Sequence, residues 1–456
     1  MLAASAITQN YRCPGEPYEI TESVHLARLA AFYSKCRHCP HAPGAEGHTL
    51  PDRDSPSPAV TNAYERSLFT AEGVRGIYLN ELTRTTAADI AGALASCISD
   101  ETFVVPPLVV PPSGGRRDDA TYTPPEGGTT NREGIRLLQP ERPGPCVVLG
   151  HDERPSSPDI VTVVGQALRR MGCQVVDVGL TTRPALLFAI HHLHAAGGVH
   201  VTGAGCDPGW TGLDFLNRGG VPCSSPGQLD TVSARYFGGY SRPSRRPGSQ
   251  RTFEAAVPYQ AAFEKYFHAL RPLKIVFACP SRSVQDVFQQ AFRKLACRLI
   301  PVDTPTRRRA PGEVIDPDVG RTAHTVRAAG AHLGLLIEDD GEQCTFFDER
   351  GSIVAPWRLA RLLSSFAAAD CQPAVNIVVP AEWSDRFGAL PATFVTVANR
   401  EQVRVALNGN NADFGADGLG RYWFAEPRPA CDALLTLVRL LQALSRSDVP
   451  FSEVVA

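Results

Sequence analysis

Four segments of this 456-residue chain hold residue types that do chemistry. The first, Thr202-Gly203-Ala204-Gly205-Cys206-Asp207-Pro208-Gly209-Trp210-Thr211-Gly212-Leu213-Asp214-Phe215, is glycine-rich and offers a thiol and a carboxylate as nucleophiles for group transfer. The second is Glu338-Asp339-Asp340-Gly341-Glu342-Gln343. Alternate side chains of an extended segment share a face, so Glu338, Asp340 and Glu342 would converge as oxygen donors for a hard divalent cation; the competing reading is an acidic turn in solvent. The third, Gly415-Ala416-Asp417-Gly418-Leu419-Gly420-Arg421, ends on a guanidinium whose planar fork suits phosphate; the plainer reading is a glycine-rich connection. The fourth is a cluster in which Cys13, Cys36, Cys39 and His41 supply three thiolates and an imidazole, a set suited to tetrahedral zinc. His25 or His38 would substitute for His41, an iron–sulfur cluster would need a fourth ligand, and the alternative is unligated cysteines.

The elements around these segments follow from hydrophobic periodicity. From Cys146 a βαβαβ order runs through strand Cys146–Leu149, helix Pro158–Met171, strand Gln174–Val178, helix Pro184–Ala195 and strand Val199–Thr202. It recurs as strand Lys274–Ala278, helix Ser283–Leu295, strand Arg298–Val302, helix Asp318–Ala329 and strand Leu333–Ile337. A looser third pass has helix Pro356–Ala368, strands Val375–Val379 and Thr393–Val397, helix Arg400–Leu407 and helix Cys431–Leu444. The pattern predicts three consecutive α/β domains with mainly parallel mixed sheets, whose ligands sit beyond the carboxyl ends of strands. Residues 1–41 are predicted as a zinc-binding module with a helix from Glu19 to Tyr33, since Ile20, Val24, Ala27 and Ala31 recur at helical spacing. Residues 42–60 read as a Pro/Gly/Ser linker, 61–225 as the first domain with an insertion at 106–145, 226–343 as the second and 344–456 as the third.

Read together with Gly73-Val74-Arg75-Gly76 and Asp152-Glu153-Arg154-Pro155-Ser156-Ser157, these loops resemble those of the α-D-phosphohexomutases, the family of phosphoglucomutase and phosphomannomutase. The resemblance covers roughly Glu72 to Ala456. It implies a phosphoserine loop of the type Thr-Ala-Ser-His-Asn-Pro, a magnesium loop Asp-x-Asp-x-Asp-Arg and a sugar loop Gly-Glu-x-Ser-Gly-His. Aligning Gly212-Leu213-Asp214-Phe215 on the family's Gly-Leu-Lys-Phe places Ala204 at the phosphoserine. Glu338, Asp340 and Glu342 fall on a weakened magnesium loop, Asp417 replaces the glutamate that grips sugar hydroxyls, and Arg421 replaces the histidine. Arg75 and Arg154 match arginines that lie near the phosphoserine in active relatives, where they either bind phosphate or hold loops together. The family's fourth domain, which closes over the substrate, is expected to be absent.

An alanine methyl carries no phosphoryl group, and loss of a nucleophile costs on the order of a million-fold in rate. One expectation is therefore a phosphohexomutase-like protein of carbohydrate metabolism that is catalytically impaired or inactive. It would retain hexose phosphate binding or engage a protein partner through its N-terminal module. The other is an active intramolecular phosphotransferase interconverting hexose 1- and 6-phosphates with Cys206 or Asp207 as nucleophile.

The 45 Lys and Arg against 47 Asp and Glu argue against nucleic acid or an anionic membrane surface as partner. No apolar run approaches the ~20 residues of a membrane span, and Met1 to Asn10 lacks a basic signal-peptide region, so the expected location is the cytoplasm. Thirteen scattered cysteines, among them Cys146, Cys173 and Cys279 in apolar stretches, read mostly as reduced core thiols. Metal analysis of the full-length protein is expected to give about one equivalent of zinc that falls away in Cys36→Ser; less than about half an equivalent, unchanged by the substitution, removes the zinc reading.

Overall fold

The computed structural model describes residues 10–12, 19–21, 24, 28, 68–100, 144–240, 244, 246–307, 316–370, 376–387, 392–395, 399–425 and 430–456. Cys13, Cys36, Cys39 and His41, with His25 and His38, lie outside the described residues, as do the linker 42–60 and most of the insertion. Near the N-terminus β1 (Asn10–Arg12) pairs antiparallel with β2 (Glu19–Thr21). The expected helix therefore does not begin at Glu19. The partner strand takes the backbone groups that a first helical turn would use, and Val24 and Arg28 are the helical residues among those described in this segment.

The first unit contains β3 (Phe69–Thr70), β4 (Gly73–Ile77), α1 (Arg84–Ser99), β5 (Cys146–His151), α2 (Ser157–Arg170), β6 (Gln174–Leu180), α3 (Arg183–His192), β7 (Gly197–Val201), β8 (Trp210–Asn217), α4 (Gln228–Gly238) and β9 (Gln250–Thr252). Its sheet order is β3-β4-β8-β7-β5-β6-β9, parallel from β7 through β9 and antiparallel at the β3–β4–β8 side. Strand β5 shows why helices cover both faces. Val147 and Leu149 enter the core beneath α1 and α2 while Val148, between them, enters the core beneath α3. The first unit runs past the expected boundary at 225: Leu229 and Val232 of α4 join the α1 core, and β9 extends the sheet beside β6.

The second unit contains α5 (Ala256–Phe263), β10 (Lys274–Ala278), α6 (Arg282–Phe292), β11 (Arg298–Val302), α7 (Pro317–Ala329), β12 (Leu333–Ile337) and β13 (Cys344–Phe347), with sheet order β11-β10-β12-β13. Strand β13 pairs antiparallel with β12, so the segment assigned by sequence to the third unit completes the second. The third contains α8 (Pro356–Asp370), β14 (Ile377–Pro380), α9 (Ser384–Phe387), β15 (Ala392–Val395), α10 (Arg400–Gly409), β16 (Phe414–Ala416), β17 (Tyr422–Phe424), β18 (Ala430–Cys431), α11 (Ala433–Leu444) and α12 (Phe451–Val454), with sheet order β15-β14-β16-β17-β18. Strands β16 to β18 span only two or three residues each, too short for alternation to announce them.

The same four-strand order, with two parallel pairings and an antiparallel fourth strand, appears as β6-β5-β7-β8, β11-β10-β12-β13 and β15-β14-β16-β17. The connection from third to fourth strand leaves the carboxyl end of a central strand and returns at once. In the three units that connection is the Ala204 loop, the Glu338–Gln343 loop and the Asp417–Arg421 loop. The three segments singled out by chemistry are thus topologically equivalent. A shared core joins the second and third units: Phe277, Leu335 and Ile337 meet Val379, Phe414 and Leu437 in one cluster, which fixes two of the loops side by side.

Cys173, Cys223, Cys279, Cys344 and Cys431 are buried and the described residues show no disulfide; burial pushes the Cys173 thiol up to about 12. Leu149 is 1% exposed within the α1–α2 core. Leu149→Ala is expected to lower unfolding stability by about 2–5 kcal/mol in urea denaturation.

Candidate functional site

Strand β7 ends at Val201, and the turn that follows is tied down by its own backbone. Thr202 Oγ1 accepts the Ala204 N–H at 3.0 Å, and Asp152 accepts the Gly203 N–H at 3.1 Å. Gly205 adopts φ +78°, a left-handed conformation open to glycine, and its N–H donates to Asp339 Oδ1 at 2.8 Å. Arg154 lies beneath this loop. Its Nη1 donates to the Asp207 carbonyl at 2.7 Å, and its Nη2 to the Cys206 carbonyl at 2.9 Å and to Asp339 Oδ2 at 3.0 Å. Arg75 approaches from β4, where its stem passes over Gly212, at which an added Cβ would come within 2.9 Å of Arg75 Cδ. Its Nε donates to the Ala204 carbonyl at 3.3 Å and its Nη1 to Asp214 at 2.6 Å. Both arginines therefore reach the Ala204 loop, and both spend their donors on it and on carboxylates.

From Asp214 an alternating series of charges crosses the molecule. Arg183, placed at the start of α3 by the Thr182 cap, bonds the other oxygen of Asp214 at 3.1 Å and lies 3.4 Å from Glu342 Oε1. Arg400, placed at the start of α10 by the Asn399 cap, meets Glu342 Oε2 at 2.7 Å and Glu72 at 2.9 Å. Arg421 lies 3.5 Å from Glu72, 3.4 Å from Asp340 and 3.5 Å from Asp417. The remaining oxygens are also engaged: Asp340 Oδ1 accepts the N–H groups of Glu342 and Gln343, and Asp417 Oδ1 those of Leu419 and Arg421.

The electrostatics separate these carboxylates into two groups. Burial alone would raise Asp214, Glu72 and Asp340, but the facing guanidiniums outweigh it and hold all three below the usual carboxylate range. Asp339 and Asp417 behave oppositely. Burial raises Asp339 to about 6, with Arg154 and the Gly205 N–H offsetting it only in part, and burial likewise raises Asp417 against the pull of Arg421.

The comparisons with known proteins agree with this construction. The model of phosphoglucomutase/phosphomannomutase alpha/beta/alpha domain I matches residues 132–240. A phosphomannomutase/phosphoglucomutase of Pseudomonas aeruginosa is 24% identical over 318 residues, 67% of each chain. The chain is similar to the α-D-phosphohexomutases. Among relatives of that family, a Xanthomonas campestris protein described as phosphohexose mutases is 24% identical over 339 residues, covering 71% of this chain and 74% of its own. A phosphoglucomutase/phosphomannomutase family protein from Burkholderia thailandensis shares the fold with a TM-score of 0.67 at 20% identity, over 85% of this chain and 79% of its own. A phosphomannomutase-like structure from Thermus thermophilus gives a TM-score of 0.64 at 18% identity, over 85% and 82%.

Against the family frame, the expected magnesium loop needs correction. Glu338, Asp340 and Glu342 do not converge as donors: Asp340 and Glu342 turn to Arg400, Arg421 and Arg183, and among the described residues no three His, Cys, Asp or Glu side chains form a metal set. Magnesium does not fit this arrangement, because a dication placed there would face guanidiniums whose carboxylate partners it would have to strip away. Asp417, expected to grip a sugar hydroxyl, caps its own loop, and Arg421 is buried among three carboxylates.

Sequence reasoning left out Glu72, Asp152, Arg183, Asp339 and Arg400 as site residues. One signal was present for Asp214: a lone charge inside the apolar strand Trp210–Asn217 needs a buried partner. No periodicity singles out Arg400 on an amphipathic helix.

The native state binds the Asp339 proton more tightly than the unfolded chain does. The stability this lends at acid pH is lost as pH rises from the ordinary Asp value through about 6. Asp339→Asn removes that loss, so its stability relative to the parent is expected to grow by roughly 3 kcal/mol between about pH 4 and about pH 7, measured by urea unfolding.

Proposed function

We propose that this chain is a non-catalytic phosphohexomutase, a protein that keeps the family's fold while its reactive centre is closed by its own ion pairs. The observation that carries the reading is Ala204. It occupies the turn between β7 and β8, between Arg75 and Arg154, where the motif resemblance puts the phosphoserine, and its side chain has no oxygen to accept a phosphoryl group.

Phosphoryl transfer depends on positioning and on cationic groups aimed at the developing charge of the moving phosphoryl. Here Arg75, Arg154, Arg400 and Arg421 are already neutralised by Asp214, Asp339, Glu72, Glu342, Asp340 and Asp417. A sugar phosphate entering this centre would have to displace a buried carboxylate, exchanging one ion pair for another with little gain. The carboxylates of the former metal and sugar loops thus occupy the donors that a substrate phosphate would use.

Purified protein with magnesium, glucose 1,6-bisphosphate and glucose 1-phosphate is expected to form no glucose 6-phosphate above background in a coupled assay. Ala204→Ser alone is expected to stay inactive, because it restores the hydroxyl and leaves the arginines engaged. Metal-dependent turnover that disappears in Asp207→Ala or Cys206→Ala would overturn the reading in favour of an atypical nucleophile.

A further inference from the structure

One buried cation stands outside the alternating series. Arg404 lies one turn after Arg400 on the same face of α10 and is 4% exposed, yet among the described residues it pairs with no carboxylate. Its Nη2 donates to the Gly219 carbonyl at 3.1 Å, while Nε and Nη1 have no partner. The acids around it are committed elsewhere. Glu342 is divided between Arg183 and Arg400, and Glu401 accepts the N–H groups of Ser224 and Gln228. Burial alone shifts the Arg404 guanidinium, pushing it down to about 10.

A small cavity adjoins this group where the three units meet. Leu187, Leu216 and Pro222 line it from the first unit, Glu342 from the second, and Arg404 and Trp423 from the third. The Nε of Arg400, which also borders the cavity, has no partner either. The cavity is small, with room for a single particle. Phosphate, sulfate and carboxylates are too large for it. A water molecule would satisfy the N–H donors but leave the buried charge uncompensated, which costs far more than a missing hydrogen bond. A halide is only slightly larger than water and supplies both the acceptor and the charge.

We propose that this cavity binds a single halide ion, chloride under ordinary conditions, held by Arg404 Nε and Nη1 at the junction of the three α/β units. Bound there, it completes the charge balance of α10 and favours the docked arrangement of the units. The site is separate from the Ala204 loop and stands whether or not turnover survives.

The experiment compares melting temperatures of the full-length protein in potassium chloride and potassium gluconate at equal ionic strength. Chloride and bromide are expected to raise the melting temperature by roughly 3 °C over gluconate, an anion too large to enter. In Arg404→Met, which keeps the stem and removes the charge, the salts are expected to become equivalent. A bromide-soaked crystal of the parent protein is expected to show anomalous density beside the Arg404 guanidinium, a readout that does not depend on the variant folding. Equal melting temperatures in chloride and gluconate with no bromine peak would overturn the proposal, and so would a chloride effect that persists in Arg404→Met.

Discussion

The alternation of guanidinium and carboxylate from Arg75 to Asp417 is the constraint that makes the docking of the three units specific. Asp214 lies between Arg75 and Arg183, Glu342 between Arg183 and Arg400, and Glu72 between Arg400 and Arg421. Each ion has lost most of its water, at a cost of about several kcal/mol. That cost is offset only when neighbours from other units stand opposite. An isolated first unit would bury Asp214 with two cations but leave Arg183 without Glu342 and Glu72 without its arginines. Such a series adds little net stability compared with apolar packing. It gives registry, since any misdocking strands a buried charge.

Topology explains why these charges meet at one place. Each unit turns directly from its third strand into an antiparallel fourth, so each presents one short loop at the carboxyl ends of its parallel strands. The second and third units are fused by a common apolar core, and α3 of the first carries Ala185 into that same core. The three loops are therefore held at a distance set by apolar packing. Their charged residues adjust within that frame, and helix caps at Thr182 and Asn399 start α3 and α10 so that Arg183 and Arg400 reach the two oxygens of Glu342.

The same frame accounts for how the turn at Ala204 keeps its shape. The turn at Ala204 is fixed by Thr202, Asp152 and the Gly205 N–H and draws on no side-chain hydroxyl at position 204. An arrangement of inward-facing arginines, however, needs anions whether or not a phosphate arrives. In this chain Asp339, Asp340 and Glu342 supply them, and the longer Glu342 side chain reaches both Arg183 and Arg400.

Much of this was legible in the chain itself. The βαβ periodicity placed β10 to β12 to the residue and β5 to β7 within two residues at either end, and the glycine and acid runs marked the three loops. Arg75 and Arg154 were singled out by the short motifs Gly73–Gly76, which proves to be strand, and Asp152–Ser157, and Ala204 by its distance to Gly212–Phe215. The sequence by itself determined the α/β fold, the order of the loops and the alanine at position 204, because these depend on local periodicity and on residue identity. Tertiary structure alone decided what the charges do. Glu338, Asp340 and Glu342 alternate as a metal set would, but their partners Arg183, Arg400 and Arg421 are distant in the chain. A buried carboxylate goes to whichever cation the packing brings within about 3 Å, and no spacing along the chain records that choice.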